Sequence, residues 1–582
     1  MMTRMKQAAR LAVCGLLAAS QANFTLAATA APDLVLLNGK VLTVDAKDSV
    51  AQAVAIRGNK IIAVGTSADI ARLAGAGTRR IDLAGRTVTP GLIDTHAHLA
   101  MGGVQDMYFI ELTPLKVSNM ADVVRLVREK AATTAPGEFV RGRGWDEGKL
   151  AERRYIYARD LDPVSPNNPV MLTHTTGHYA VANSAALKLA GITKDTPDPP
   201  GGTIDRFPDG TPTGVLKERA QRLVGQHIPD ITPEQLYAGI AATSQGFANE
   251  CVTTAKDPGI NQETWDAYKR VQADGKLPVR IFALWRTPDN VADARALAAR
   301  VAAKTRPYET TGDDHVISGG IKIAIDGSGG ARTAWMHEDW NKNFTEVDTG
   351  NKGYPVVDPK IVGELVQIYH DAGLHMGIHS IGDHGVDWTV DAFDAVLQKK
   401  PTKGLRHTII HANVVTDQAM AKMARMQKTY DAAYPEAQGP FLWYLGDTYA
   451  GNLGPKRSIG LKPFKTFIER GVIFANGSDY PVAPYPGRYG LWASVDRSTM
   501  LGLYGQRPAG TLNAIDIKTA LRSYTDWGSR TVFMEKKIGT IEPGKYADLA
   551  VWDTDIYNAP TAALKDMKCS MTVFNGKIVN GG

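Results

Sequence analysis

Short apolar runs, each ending abruptly in polar residues, recur along most of this chain and alternate with stretches of helical pattern. Eight of them are strand-like: 92–98, 252–256, 279–284, 317–325, 374–379, 408–411, 429–433 and 472–475. Strands that alternate with helices imply a parallel α/β fold, and eight is the number that closes a (β/α)8 barrel. The spacing leaves one long excursion, about 105–235, between the first and second strands. It has strand-like runs of its own at 138–142 and 169–173 and a Pro199-Pro200-Gly201-Gly202 loop, and it reads as a lobe inserted over the barrel mouth.

The flanks differ from this pattern. Leu36-Leu37-Asn38-Gly39-Lys40-Val41 is echoed by Val573-Phe574-Asn575-Gly576-Lys577-Ile578, each with an Asn-Gly hairpin signal. Val54 to Ile62 reads as a further hairpin, and Gly544 to Trp552 as a turn and strand. The simplest packing joins 31–88 and 537–582 in one composite β-sandwich around a barrel domain at 89–536. Two separate terminal domains are the alternative.

Residues 1–30 have the form of a secretory signal. Arg4, Lys6 and Arg10 precede the apolar run from Leu11 to Ala19, and small-residue exits place cleavage between 22 and 30. The run is too short to span a bilayer, so the expected product is exported, periplasmic or secreted, and not held in a membrane after cleavage. Of the +6 formal charge, three units belong to this leader, leaving 63 basic against 60 acidic residues. No basic run points to nucleic acid. A mature chain keeps only Cys251 and Cys569, which fall in different predicted domains, so no disulfide is expected despite the oxidising compartment.

The ends of the predicted barrel strands carry the chemistry. In Gly91-Leu92-Ile93-Asp94-Thr95-His96-Ala97-His98, residues two apart in an extended strand face one side, so both imidazoles reach one ion. Lys322, His379, His411 and Asp479 each follow an apolar run in the same way. Nitrogen and oxygen ligands of this kind suit zinc, with one position left open for water, although manganese, iron or cobalt would take the same groups. Lys256, after Val252-Thr253-Thr254-Ala255, competes with Lys322 as the lysine of the site. Trp145, His174, His178 and Tyr179 of the lobe are candidate substrate contacts, His178 as a hydrogen-bond donor to a carbonyl oxygen. Arg332 is a candidate anion contact. The Gly-Gly pairs lack the Lys-Ser/Thr of a phosphate loop.

The ordered set of His96, His98, Lys322, His379, His411 and Asp479, with Gly144-Trp145-Asp146, Gly177-His178, Asn183-Ser184-Ala185-Ala186-Leu187, Gly214-Val215-Leu216-Lys217-Glu218 and Ile541-Glu542-Pro543-Gly544-Lys545, resembles the amidohydrolase superfamily. It is most similar to amidohydrolase family 3, the branch with N-substituted formamide deformylase-like proteins, over essentially the whole mature chain. The resemblance implies a barrel with a composite sandwich and one or two divalent metal ions, with zinc the expected one. His96, His98 and Asp479 would hold one ion, His379 and His411 the other, and a CO2-carboxylated Lys322 would bridge them. It further implies attack of metal-bound hydroxide on a C–N bond of an amide, formamide or carbamate, with Asp479 as general base and then acid. Hydrolytic deamination and lactone opening are alternatives on the same centre, as is a non-catalytic binding or regulatory protein. The expected partner is a small molecule with an apolar or aromatic portion, and the oligomeric state, a homo-oligomer included, is left open.

Overall fold

The computed structural model describes residues 30–305, 313–340 and 351–581. The leader, apart from Ala30, lies outside the described residues. At the centre is an eight-stranded parallel sheet: β1 (Leu92–Asp94), β2 (Val252–Ile260), β3 (Arg280–Arg286), β4 (Val316–Ala324), β5 (Met376–Ser380), β6 (Thr408–His411), β7 (Tyr434–Ala437) and β8 (Ala475–Asn476), each beside its sequence neighbour. The apolar runs form these strands because helices cover their outer face and leave little of them to water.

Closure runs through the loops that leave β1 and β8. Thr95 N–H donates to Asn476 O at 3.2 Å, His98 N–H to Tyr480 O at 2.7 Å and Asp479 N–H to His96 O at 2.6 Å. The seam of the barrel therefore joins the His-x-His segment directly to the Gly-Ser-Asp segment.

Two predicted strands are displaced. Residues 429 and 430 end the amphipathic helix Asp417–Tyr430, which stops where Asp431 takes a left-handed φ of 53° and returns its N–H to Gln427 O, and 431–433 form the turn that follows. The strand begins three residues later, at Tyr434, and so brings Glu436 into the barrel wall. The eighth strand likewise starts at Ala475, with 472–474 as its approach.

The insertion carries a six-stranded sheet, ordered Gly202–Arg206, Pro212–Glu218, Tyr179–Ala182, Val170–His174, Val140–Trp145, Ile110–Glu111. Its own core is built on Trp145, Tyr155, Leu172, Tyr179 and Val181, with the Trp145 indole N–H donating to Leu172 O at 2.9 Å.

The chain ends meet in a sandwich. Leu549–Trp552 pairs antiparallel with Thr87–Pro90 in a six-stranded sheet that also holds Lys40–Leu42, Val50–Ala51, Cys569–Phe574 and Lys577–Gly581. It faces a four-stranded sheet of Leu34–Leu37, Ala53–Arg57, Lys60–Gly65 and Arg79–Asp82 across Leu36, Val54, Val88, Leu549 and Val573. Asn575 and Gly576 have φ of 50° and 79° and form the expected hairpin turn. Asn38-Gly39 does not: Asn38 has φ 57° but Gly39 lacks the positive φ of a two-residue hairpin, and the chain there steps from one sheet to the other.

A second correction concerns the cysteines. Cys251 and Cys569 form a disulfide, with Cα atoms 5.6 Å apart. Cys251 immediately precedes β2 and Cys569 begins a strand of the sandwich, which packs against the barrel there, with Thr572 Oγ1 donating to Ala248 O at 2.6 Å beside the bond. Distance between domains along the sequence carried no information about how they dock.

Candidate metal centre and its cavity

Asp94, the last residue of β1, organises the seam. Its buried carboxylate accepts from His96 N–H at 3.2 Å, Ser478 N–H at 2.9 Å and Ser478 Oγ at 2.6 Å. Burial outweighs these bonds and pushes its pKa up to about 7. The fixed seam leaves His96 Nε2 3.3 Å and His98 Nε2 3.4 Å from one oxygen, Asp479 Oδ1. Asp479 adopts φ 59° and His411 φ 75°, left-handed conformations that cost non-glycine residues about 1–3 kcal/mol each and concentrate at functional sites.

His96 is fully buried, yet neither of its ring nitrogens has a hydrogen-bond partner. Such an orphan costs about 1–3 kcal/mol. Its surroundings fit a cation, since Asp479 lies on the Nε2 side and the Glu436 carboxylate stands 3.9 Å from Nδ1.

The second pair of histidines makes the same point by tautomer. His379 Nε2 faces Gly327 O at 2.9 Å, and His411 Nδ1 faces Gln438 Oε1 at 2.9 Å. Gln438 is oriented by Lys462 Nζ, which donates to its Oε1, and by its own Nε2, which donates to Glu436 O. Burial lowers both imidazoles well below the usual histidine range, so each is neutral and carries its single proton on those outer nitrogens. The inner nitrogens, His379 Nδ1 and His411 Nε2, are then two bare lone pairs facing each other at 3.0 Å. Two lone pairs at that distance repel unless an electrophile sits against them, which is what a metal does.

Lys322 of β4 is half-buried on the same cavity, and burial brings its pKa down to about 7. Lys256 is otherwise engaged: fully buried, it bonds Glu436 and stands 3.0 Å from His375 Nε2. Glu436 is the residue that sequence reasoning missed. It bonds Lys256 and stands 3.9 Å from His96 Nδ1, where its negative charge favours a cation held by that ring. Glu436→Gln is expected to weaken metal affinity about 10–100-fold with the fold retained, as read by metal titration against a chelator.

A cavity of about 580 Å³ opens over the strand ends, lined by His98, His178, Lys322, His379, His411 and Asp479, with His96 behind it. This is within the range of small-molecule sites. His178 reaches in from the lobe with its ring 5.0 Å from that of His379, and its Nδ1 is held by Glu218 at 2.9 Å. His174 touches the cavity but is buried, stacked on Tyr179 at 3.9 Å and facing Glu147. Trp145 and Tyr179 lie in the lobe core away from the cavity, so the aromatic residues of the lobe supply no aryl pocket. The apolar wall is aliphatic instead, from Val356, Val357, Val362 and Leu365. Arg332 is buried and bonded to Tyr155 OH and to Asn452 Oδ1, a structural pin rather than an anion contact. No helix among the described residues is long and apolar enough to cross a membrane.

A parallel eight-stranded barrel whose C-terminal strand ends gather imidazoles, a lysine and a carboxylate around one cavity is the framework of a metal-dependent hydrolase. Residues 79–580 match the amidohydrolase family, and the chain belongs to it. Among curated relatives it is 29% identical over 544 residues to protein LONG AFTER FAR-RED 3 of Arabidopsis thaliana, covering 90% of this chain and 88% of that one. It is 28% identical over 552 residues to N-substituted formamide deformylase of Arthrobacter pascens, covering 94% and 97%. In structure it resembles an uncharacterized metal-dependent hydrolase from Pyrococcus furiosus, with a TM-score of 0.66 at 22% identity over 90% of this chain and 100% of that one.

Proposed function

We propose that this protein hydrolyses a C–N bond of an amide, formamide or carbamate at a divalent metal centre. The observation that carries the reading is the set of bare, buried imidazole nitrogens of His96, His379 and His411 gathered with Asp479 at one cavity. Zinc suits this donor set, which His96, His98, Asp479, His379, His411 and, as a carbamate, Lys322 would supply. When bound, the metal supplies an acidified water and polarises the carbonyl.

The protein's own groups do the rest. Burial would raise the Asp479 carboxyl, but the His96 and His98 imidazoles beside its Oδ1 outweigh it and lower its pKa, so an ionised Oδ is ready to take the proton of the attacking water. The same oxygen then returns that proton to the leaving nitrogen. Burial opposes a charge on His178, yet Glu218 more than compensates and raises its pKa, favouring the imidazolium. With Nδ1–H committed to Glu218, Nε2–H donates to the substrate oxygen where negative charge develops. His178→Ala is expected to lower kcat about 10²-fold with little change in metal content, and Glu218→Gln to lower it less.

The setting we propose is an exported one, which the leader-like residues 1–30 and the Cys251–Cys569 bond, as an oxidising compartment allows, support. The relationship to the formamide deformylase makes N-substituted formamides the first substrates to screen. Turnover by the metal-loaded protein that disappears in His96→Ala and Asp479→Asn supports the proposal. Substrate binding without turnover at full metal content would overturn it in favour of a binding protein.

A further inference from the structure

One wall of the cavity carries more positive charge than its carboxylates neutralise. Arg286 is the last residue of β3, and its register partner on β4 is Lys322. Both side chains lie over Gly259, which has φ +97°. A Cβ built on this glycine would stand 3.6 Å from Arg286 Nη2 and 3.9 Å from Lys322 Cγ. The guanidinium and the lysine stem thus flank the same point of the cavity floor.

The acid within reach is Asp289, on the same wall. It is already shared, at 3.0 Å from Arg219 Nη2 and 3.5 Å from Arg222 Nη1. Three guanidinium groups therefore stand against one carboxylate. Among the described residues, no carboxylate comes within 4.0 Å of Arg286 and no protein acceptor hydrogen-bonds to it.

The other cavity acids are engaged as well. Glu218 holds His178 and accepts from Thr333. Asp257 accepts from Tyr268 OH and from Ala100 N–H. Asp326 accepts from the N–H groups of Trp335, Ile381 and Gly382. Arg286 itself opens into the cavity, and Asp289, the acid nearest to it on this wall, is already shared by Arg219 and Arg222, so the guanidinium is free to meet an anion that enters from solvent. The aliphatic wall of Val356, Val357, Val362 and Leu365 belongs to the same cavity.

Building on the hydrolytic reading above, we propose that the substrate carries a carboxylate that Arg286 binds, with Arg222 adding to the local positive charge, beside an aliphatic segment on the valine–leucine wall. An N-acylated aliphatic amino acid has all three parts: scissile amide, carboxylate and branched side chain. In its hydrolysis water adds to the acyl carbon, the C–N bond breaks, the acyl group leaves as a carboxylic acid, and the nitrogen takes a proton to leave as the amino acid. Arginine suits the role because its planar fork matches a carboxylate with two parallel hydrogen bonds.

The test compares N-formyl- and N-acetyl-leucine with their carboxamides, using the whole metal-loaded protein. The free acids are expected to be favoured in kcat/KM by about 10²-fold. Arg286→Gln should erase that preference through KM for the acids, with metal content and kcat for the carboxamides unchanged, and Arg286→Lys should restore part of it. An undiminished preference in Arg286→Gln, an equal loss on acids and carboxamides, or a loss of metal would each overturn the assignment. Calorimetry with 4-methylpentanoate and 4-methylpentan-1-ol, neither of them hydrolysable, separates this proposal from the hydrolytic one. Tighter binding of the acid that depends on Arg286 supports the carboxylate site even if no amide is turned over. Binding of the acid that is indifferent to Arg286 overturns it even if amides are hydrolysed.

Discussion

Lys322→Ala is expected to reduce the metal content of the purified protein and to lower turnover by about three orders of magnitude or more, equivalent to several kcal/mol of transition-state stabilisation. The reason lies in where β4 puts the amine. Burial at the cavity wall disfavours the ammonium and brings its pKa down to about 7, so a large neutral fraction is available to react with CO2. Elemental analysis of wild type and variant, both purified with bicarbonate and zinc present, reads the first effect. A carbamate carbon signal from labelled bicarbonate, present in wild type and absent in the variant, reads its cause. A variant with wild-type metal content and turnover would remove Lys322 from the centre. Lys256→Ala would not reproduce this pattern, because its amine already serves Glu436 and His375.

Replacing both Cys251 and Cys569 by serine is expected to destabilise the protein by about 3–5 kcal/mol, since the bond closes a loop of 318 residues and loops of that length lose the most unfolded-state entropy. Thermal unfolding in oxidising buffer should show a lower midpoint for the double variant. Adding reductant should bring wild type down to meet it while leaving the variant unmoved. A midpoint insensitive to both changes would mean that the bond contributes nothing. Activity at moderate temperature should survive, because Cys251 lies just before β2 begins, at the end of the barrel opposite the cavity.

The parts of this architecture that were legible in sequence are those where one physical signal dominates. Leu92 to His98, Ile321 to Asp326 and Thr408 to His411 pass from apolar to polar at the strand end, because the strand is buried and its tip faces the cavity. Tyr434-Pro435-Glu436-Ala437 is a barrel strand without such a run, since its Glu436 points into a polar layer with Lys256, and so it was placed five residues early. Arg286 was passed over for a similar reason: it is a charged residue that follows the apolar run from Ile281, in a strand predicted to stop at Leu284. The aromatic residues of the lobe misled in another way. Trp145 and Tyr179 look the same in sequence whether they face a substrate or one another, and here their rings meet at 5.4 Å inside the lobe. The disulfide was invisible because it depends on how two domains dock, which no local pattern encodes.

The meeting of the chain ends in one sheet sets an order on assembly. Thr87–Pro90 and Lys40–Leu42 emerge early in synthesis, but Thr87–Pro90 gains its antiparallel partner only when Leu549–Trp552 has been made. Until then one edge of an early strand stays open, while the barrel that separates the two halves is built in between. Contacts across so many residues form slowly, and an exposed strand edge invites pairing with other chains. The last few dozen residues thus act as a latch, and a chain cut short of Leu549 would leave that edge uncovered, prone to aggregate even where every group of the cavity is already in place.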